Sequence, residues 1–373
     1  RAPNSSEFPE PFDLARVKVF PLAQRKSLSR VEDILVSLDS EPVECAPEVM
    51  ATVRGCAHAI REARRRNASV MLIYGAHLLR NGSALLIDKM LSDGWLTHLA
   101  TNGAGTIHDW EFAFSGVSTE SVEDNVATGT FGTWDETSRN IHLALLAGGL
   151  AGYGYGRALG AFVEQDGVLL PAVSELESQL RMEPSNPFSP ARADLLLAMR
   201  QHGIKGGRID VSHPWRRASI VASAFRHSIP LTVHPGIGYD IISNHPMFNG
   251  AVIGRAAGVD FRLFASAVER VDAGVVLSIG SAIMGPQVFE KTISCVNNVR
   301  IQEGREIVSG HKIFVVDLQD GGGWDWSKGE PPKTNPAYYL RFCKSFSRMG
   351  GAMHYCQSDN LRFIQRLAWE LRG

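Results

Sequence analysis

The sequence predicts an α/β protein built on a doubly wound, mostly parallel sheet of six or more strands with helices on both faces. Three observations predict it. Short β-branched or apolar runs recur along the chain, each closes in small or polar residues such as Gly, Asn or His, and most are followed by residues with helical spacing. Strands that alternate with helices in this way make a parallel sheet covered on both sides.

The elements follow in order. Residues 69–74 (SVMLIY) form the first predicted strand, which closes at Gly75, and residues 83–91 have helical spacing. Residues 96–101 form the second, running into Asn102-Gly103-Ala104-Gly105, with a helix through Phe114. The third covers 208–212, with a helical stretch from about 215 to 225. The fourth, 230–233, runs into His234-Pro235-Gly236-Ile237-Gly238. The fifth, 274–279, closes at Gly280-Ser281 before a helix over 286–296. The sixth, 312–318, ends in Asp320-Gly321-Gly322-Gly323. Between the second and third strands, residues 120–165 read as helical, with Thr133-x-x-Glu136 as a capping box. Ser189-Pro190 opens another helix after a loop at 184–190. The Gly-, Pro- and Trp-rich stretch 321–336 is a long loop whose two tryptophans argue against disorder. The charge run 61–66 reads as a solvated helix face. In domain terms, residues 1–60 are an N-terminal extension and helix, and 61–373 one α/β domain with a helical insertion at about 120–200.

Composition narrows the function. The 373 residues are 44% apolar, enough for a sizeable core, and carry 38 basic against 39 acidic side chains. Near-zero net charge argues against nucleic acid or a membrane surface as partner, since both select for basic excess. No apolar run approaches the roughly 18–20 residues of a membrane span, and the opening residues Arg1 to Ser6 lack the apolar stretch of a signal peptide. The five cysteines are scattered without a C-x-x-C pair, which points to reduced thiols in a cytoplasm and to no structural metal.

Candidate chemistry collects at the predicted strand ends, where ligands of parallel sheets bind. In Asn102-Gly103-Ala104-Gly105-Thr106-Ile107-His108-Asp109-Trp110-Glu111, glycines allow close backbone approach and a helix begins at once, so free N–H groups can meet phosphate or carboxylate. The segment from His234 to His245 concentrates two His and Asp240 in twelve residues, which suits proton transfer better than metal binding. Gly280 and Ser281 can hold phosphate or ribose through N–H and hydroxyl groups. Gly154-Tyr155-Gly156-Arg157-Ala158-Leu159-Gly160 has the spacing of a dinucleotide fingerprint but follows helix formers instead of a strand, so it reads as a helix-packing surface.

Four of these segments, YGAHLLRNG, THLATNGAGTIHDWE, HPGIGYDII and VVLSIGSAIMGP, resemble in series the motifs of the deoxyhypusine synthase superfamily, its bacterial branch above all. NGAGTIHDWE also resembles the NAD-binding part of archaeal-type ornithine cyclodeaminases. The resemblance covers about residues 15–320. It implies a Rossmann-like sheet with NAD at the strand ends, and a homodimer or homotetramer with the small-residue stretch 148–160 near a subunit contact. For NAD it implies Gly75, Ala76, His77, Asn102, Gly103, Ala104, Gly105, Glu111, Gly236, Gly238, Gly280, Ser281 and Asp317.

Deoxyhypusine synthases pass the aminobutyl group of spermidine through an imine on a Lys just after a Gly-Gly turn. In this chain that turn corresponds to Gly280-Ser281, and the Lys position falls near Met284, which forms no imine. Lys291 lies about two helical turns further on. The acidic pair of those synthases is here Ile107-His108. The expectation is an NAD-dependent enzyme acting on a small amine or amino acid through transient hydride removal and an imine, and not deoxyhypusine synthesis. An NAD-dependent cyclodeaminase or dehydrogenase is the alternative, and a non-catalytic NAD-binding or scaffold protein is the alternative of another class. His108 and His234 are the expected acid/base residues. Asp109, Asp240 and His245 are expected to contact the substrate amine or orient those histidines.

Overall fold

Six strands form one all-parallel sheet: β1 (Val70–Tyr74), β2 (His98–Asn102), β3 (Leu231–His234), β4 (Val275–Ile279), β5 (Lys312–Asp317) and β6 (Ala352–Gln357). Their spatial order is β3-β2-β1-β4-β5-β6, so the winding reverses between β1 and β4. This is the order of a dinucleotide-binding Rossmann sheet, and the reversal is where such sheets open a crevice. The computed structural model describes residues 10–372, and Arg1 to Ser6 lie outside them.

The strands are apolar throughout because both faces are covered. Val70, Leu72 and Tyr74 enter one core, while Met71 and Ile73 enter the other, as the period of two requires. On the first face lie α1 (Pro47–Arg65), α2 (Gly103–Ser115), α3 (Asp135–Leu150), α4 (Tyr155–Glu164) and α5 (Ile220–Arg226). The second face carries α7 (Met284–Gln302) and the later half of α6 (Gly250–Glu269), whose Val252, Ile253 and Ala256 join the first core. The last helix, α8 (Asn360–Arg372), packs beside α1 on the first face. Each fully buried Leu, Ile or Phe contributes about 1.5–3 kcal/mol of transfer free energy.

Five of the expected strands are in this sheet, and the third, 208–212, is not. Gly207–Asp210 pairs antiparallel with Gly167–Leu170 in a separate two-stranded sheet. Its Arg208 and Asp210 are exposed, whereas a strand inside a parallel sheet must be apolar on both faces. The sixth position belongs to β6, an edge strand with His354 and Tyr355 half-buried. Residues 120–165 break into a short helix (Val122–Thr128), α3 and α4. The expected capping box is absent. Trp134 precedes α3 with no side-chain cap, Thr133 Oγ1 donates to the Thr130 carbonyl at 3.0 Å, and Glu136 accepts from the Leu22 N–H at 2.6 Å.

α1 runs across position 60, and the chain before it is not an appendage: the Phe20 N–H donates to the Thr133 carbonyl at 2.9 Å, and Ser29–Arg30 pairs with Val117–Ser118. The arginines of 61–66 are only partly a solvated face, because Arg61 donates to the Glu370 carbonyl and Arg64 Nε to the Gly94 carbonyl at 2.8 Å. The small residues of 148–160 pack within the chain, with Gly148 against Ala158, Gly156 against the Leu231 carbonyl and Gly160 against the Val221 carbonyl. Among the described residues no helix is long and apolar enough to cross a membrane.

Candidate functional site at the carboxyl ends of the strands

At the reversal point, β1 and β4 stay paired to their ends. The Gly75 N–H donates to the Ile279 carbonyl at 3.3 Å, and a Cβ on Gly75 would stand 2.1 Å from the Gly280 carbonyl oxygen. Gly280 turns away at φ +60, a conformation that favours glycine. Ala76 and His77 open the short helix Ala76–Arg80, with His77 exposed. α7 opens at Ile283 with no side-chain cap at that residue, and Ser281 Oγ accepts the Gly285 N–H at 3.1 Å. Pro286 has no N–H, so the Met284 N–H is the one left without an intrahelical acceptor in the first turn of α7. Ile283 and Leu318, after β4 and β5, are 75% and 66% exposed. A free N–H beside exposed apolar side chains fits a dinucleotide, whose pyrophosphate needs donors and whose rings need apolar contact. Asp317, at the end of β5, accepts the Gln319 N–H at 3.1 Å through Oδ1.

Beside this crevice, at the ends of β2 and β3, lies a cavity of about 300 Å³ lined in part by Arg25, Arg80, Ala104, His108, Glu120 and Asp240. Its floor is the first two turns of α2. Asn102 caps that helix by accepting the Gly105 N–H at 2.9 Å, and Gly103, Ala104 and Gly105 form its first turn. Asp240 lies against Gly103, where a Cβ would stand 1.9 Å from a carboxylate oxygen. The loop after β3 holds Asp240 there. The Gly236 N–H donates to Asp240 Oδ2 at 2.8 Å, and the Gly238 N–H to Ser243 Oγ at 3.2 Å. These two glycines, expected to meet a cofactor, instead close the loop on itself. Burial pushes the Asp240 carboxyl up to about 6, against the opposing Gly236 N–H.

His108 is held by Ser118, Nδ1 to Oγ at 2.7 Å, and Ser118 Oγ donates to Glu111 Oε2 at 2.5 Å. Burial depresses its pKa to about 4. Glu111, expected as a cofactor ligand, is saturated within the protein: Arg25 grips it with Nη1 and Nη2 at 2.6 and 3.0 Å, and Thr137 Oγ1 donates at 2.9 Å. Glu120 accepts from Trp134 Nε1 at 2.9 Å and from the Gly132 N–H at 3.3 Å, pinning the loop over the cavity. Arg80 is different. Its Nε is buried without a hydrogen-bond partner, and among the described residues no carboxylate stands within ion-pair distance of it.

The other expected site residues lie elsewhere. Asp109 faces α5, where its oxygens accept from Ser219 Oγ and from the Ile220 N–H at 2.7 Å, so it caps that helix. Burial raises its pKa to about 7. His234 meets Phe264 of α6 edge-on at 5.3 Å, and burial lowers its pKa to about 4. It does not line the cavity. His245 accepts the Met247 N–H at 3.0 Å and meets Asp135 at 3.2 Å, a bridge that fastens its loop to α3. Lys291 is exposed and paired with Glu290 at 2.6 Å, and no lysine lines the cavity.

Arg25, Arg80 and Ser118 were not expected from the sequence. Arg80 sits in the YGAHLLRNG segment, where a cation six residues past a strand was a usable signal. Arg25 and Ser118 gave none, since they reach the site only through tertiary pairing.

No family model matches the chain, and no curated protein matches it. Solved structures with a similar course include unliganded AgrE (14% identity, 88% of this chain, 34% of that one, TM-score 0.43). The ternary complex of AgrE with ornithine and NAD+ gives 13%, 89%, 34% and 0.42. ArgZ, an arginine dihydrolase from the ornithine–ammonia cycle in cyanobacteria, gives 13%, 88%, 32% and 0.42. The chain spans about a third of the length of AgrE and ArgZ.

Proposed function

We propose that the chain is an NAD-dependent enzyme acting on a small amino acid or amine held in the cavity beside His108, as a dehydrogenase or cyclodeaminase. The observation that carries this reading is the set of groups around one 300 Å³ cavity next to the reversal point: an unpaired Arg80, the buried Asp240 carboxyl and a neutral His108. Arg80 offers the charge and fork a substrate carboxylate would take. Asp240 offers an acceptor to an ammonium or amine. His108, uncharged near neutrality, offers a lone pair to the proton that the substrate nitrogen gives up. NAD, when bound at the β1/β4 edge, would supply a hydride acceptor. The lack of a lysine in the cavity lining favours oxidation or deamination over group transfer through an enzyme imine. Assembly into a dimer or tetramer belongs to this reading through the sequence resemblance, and light scattering tests it.

Calorimetric titration with NAD+ and with NADH tests the cofactor, with micromolar binding expected. A panel of amino acids and amines is then followed by NADH absorbance. His108→Gln should lower turnover by about 100-fold or more. Arg80→Met should raise KM for carboxylate-bearing substrates and leave simple amines little changed. Absence of binding to either nucleotide overturns the reading, and binding without turnover makes the chain a non-catalytic NAD-binding protein.

A further inference from the structure

The contacts around Glu111 fix more than its own position. A guanidinium only donates, and Arg25 gives Glu111 two N–H groups. Thr137 Oγ1 and Ser118 Oγ also donate to it, so both carboxylate oxygens act as acceptors throughout. Ser118 has one hydroxyl hydrogen, and Glu111 takes it. Toward His108 Nδ1, 2.7 Å away, the Ser118 oxygen can then only accept. Nδ1 must carry the hydrogen, and Nε2 is left with its lone pair and, among the described residues, without a protein partner.

We propose that Ser118, backed by Glu111 and Arg25, is a positioning residue that holds His108 in the Nδ1–H tautomer, so that Nε2 presents a lone pair to the cavity as a proton acceptor. The proposal rests on the reading of that cavity as the working site. Reversing the tautomer would require a proton on Glu111 against the Arg25 fork, or the loss of the Ser118 bonds. Ser118 is itself held. Val117–Ser118 pairs with Ser29–Arg30, and the hydroxyls of Ser29 and Thr119 meet at 3.0 Å. The N-terminal segment thus supplies Arg25 and clamps the strand that carries Ser118. Burial supports the arrangement by keeping the ring neutral, with Glu111 opposing and Arg80, Arg25 and His77 adding to the effect.

The test is proton–nitrogen correlation spectroscopy of the full chain labelled at histidine, near about pH 7, where an imidazole of ordinary pKa is mostly neutral. His108 is assigned by its loss in His108→Gln. The expected pattern is a protonated Nδ1 and a bare Nε2. Ser118→Ala should convert a large part of His108 to the Nε2–H form, and Ser118→Thr, which keeps the hydroxyl, should restore the original pattern. An Nε2–H or doubly protonated His108 in the unaltered protein overturns the proposal, as does a folded Ser118→Ala protein with an unchanged tautomer. Should Ser118→Ala fail to fold, the tautomer of the unaltered protein decides alone. None of these spectra needs NAD or substrate, so the result is independent of the titration that tests the enzyme reading. With a substrate in hand, Ser118→Ala should lower kcat about ten-fold with little change in KM, the range of a misdirected acid/base group.

Discussion

At the scale of single residues, the decisive pair is Arg25 and Glu111, both almost fully buried. Two charges removed from water are costly unless each finds its partner and the remaining lone pairs are filled, and here Thr137 and Ser118 fill them. Removing one partner leaves a buried charge without compensation. Arg25→Ala should therefore lower unfolding free energy by about 3–5 kcal/mol, read from the denaturant midpoint. Arg25→Met with Glu111→Leu should recover part of that loss, because it abolishes both charges. A midpoint unmoved by Arg25→Ala would mean that the pair is open to water. The residues chosen from sequence divide by the same logic. His108 and Asp240 reach the cavity, while Asp109 and His245 are consumed in a helix cap and a loop bridge. A His or Asp near a strand end has the same appearance in sequence whether it faces a ligand or a backbone N–H.

At the scale of elements, the edge between β1 and β4 depends on glycine for close approach. A Cβ on Gly75 would stand 2.1 Å from the Gly280 carbonyl, a backbone atom that cannot turn aside as a side chain would. Gly75→Ala should cost about 1–3 kcal/mol, the range of an overpacked core, and should weaken NAD binding by spreading the two strand ends. Unfolding curves and the NAD titration check this together. Wild-type stability in Gly75→Ala would show that the two ends separate freely. The elements themselves were mostly legible. Central strands announce themselves because two covered faces demand continuous apolar runs. β6 is not legible because its run AMHYCQ is only partly covered, with Ala352 and Gln357 exposed and His354 and Tyr355 half-buried, and Gly207–Asp210 reads as a sheet strand because an exposed hairpin strand shares the local composition of one.

At the scale of the whole molecule, buried titratable groups set the response to acid. Burial holds His98 at about 3 and His108, His142, His213 and His234 at about 4. Unfolded, each titrates near about 6.5. The stability linked to them is present above about pH 6.5 and is lost as pH falls toward 4. Burial raises Asp109 and Asp260 to about 7 and Asp240 to about 6, and their contribution is present below about pH 4 and lost as pH rises through 6–7. Between these limits, five histidines take up protons on unfolding and three carboxyls release them. The net uptake is about two protons, or a loss of roughly 3 kcal/mol for each pH unit of acidification. Denaturant unfolding across this window should show a steep fall on the acid side and level off at about pH 7, where uptake and release balance. A flat acid limb would mean that water reaches these side chains in the native state.

The sequence by itself determined the fold class of this protein and the sheet edge at which its candidate site lies. Alternating apolar runs and helical spacings demand a covered parallel sheet, and the small and polar residues that close those runs mark its carboxyl end. Periodicity is a local property, and so it survives in the one-dimensional record. Only the tertiary structure decided the strand order that puts the reversal between Gly75 and Gly280, and the convergence of Arg25, Arg80, His108, Ser118 and Asp240. Arg25 lies 86 residues from the Glu111 it neutralises. Nothing in either neighbourhood encodes that distance, because a buried charge selects its partner by proximity in the folded chain.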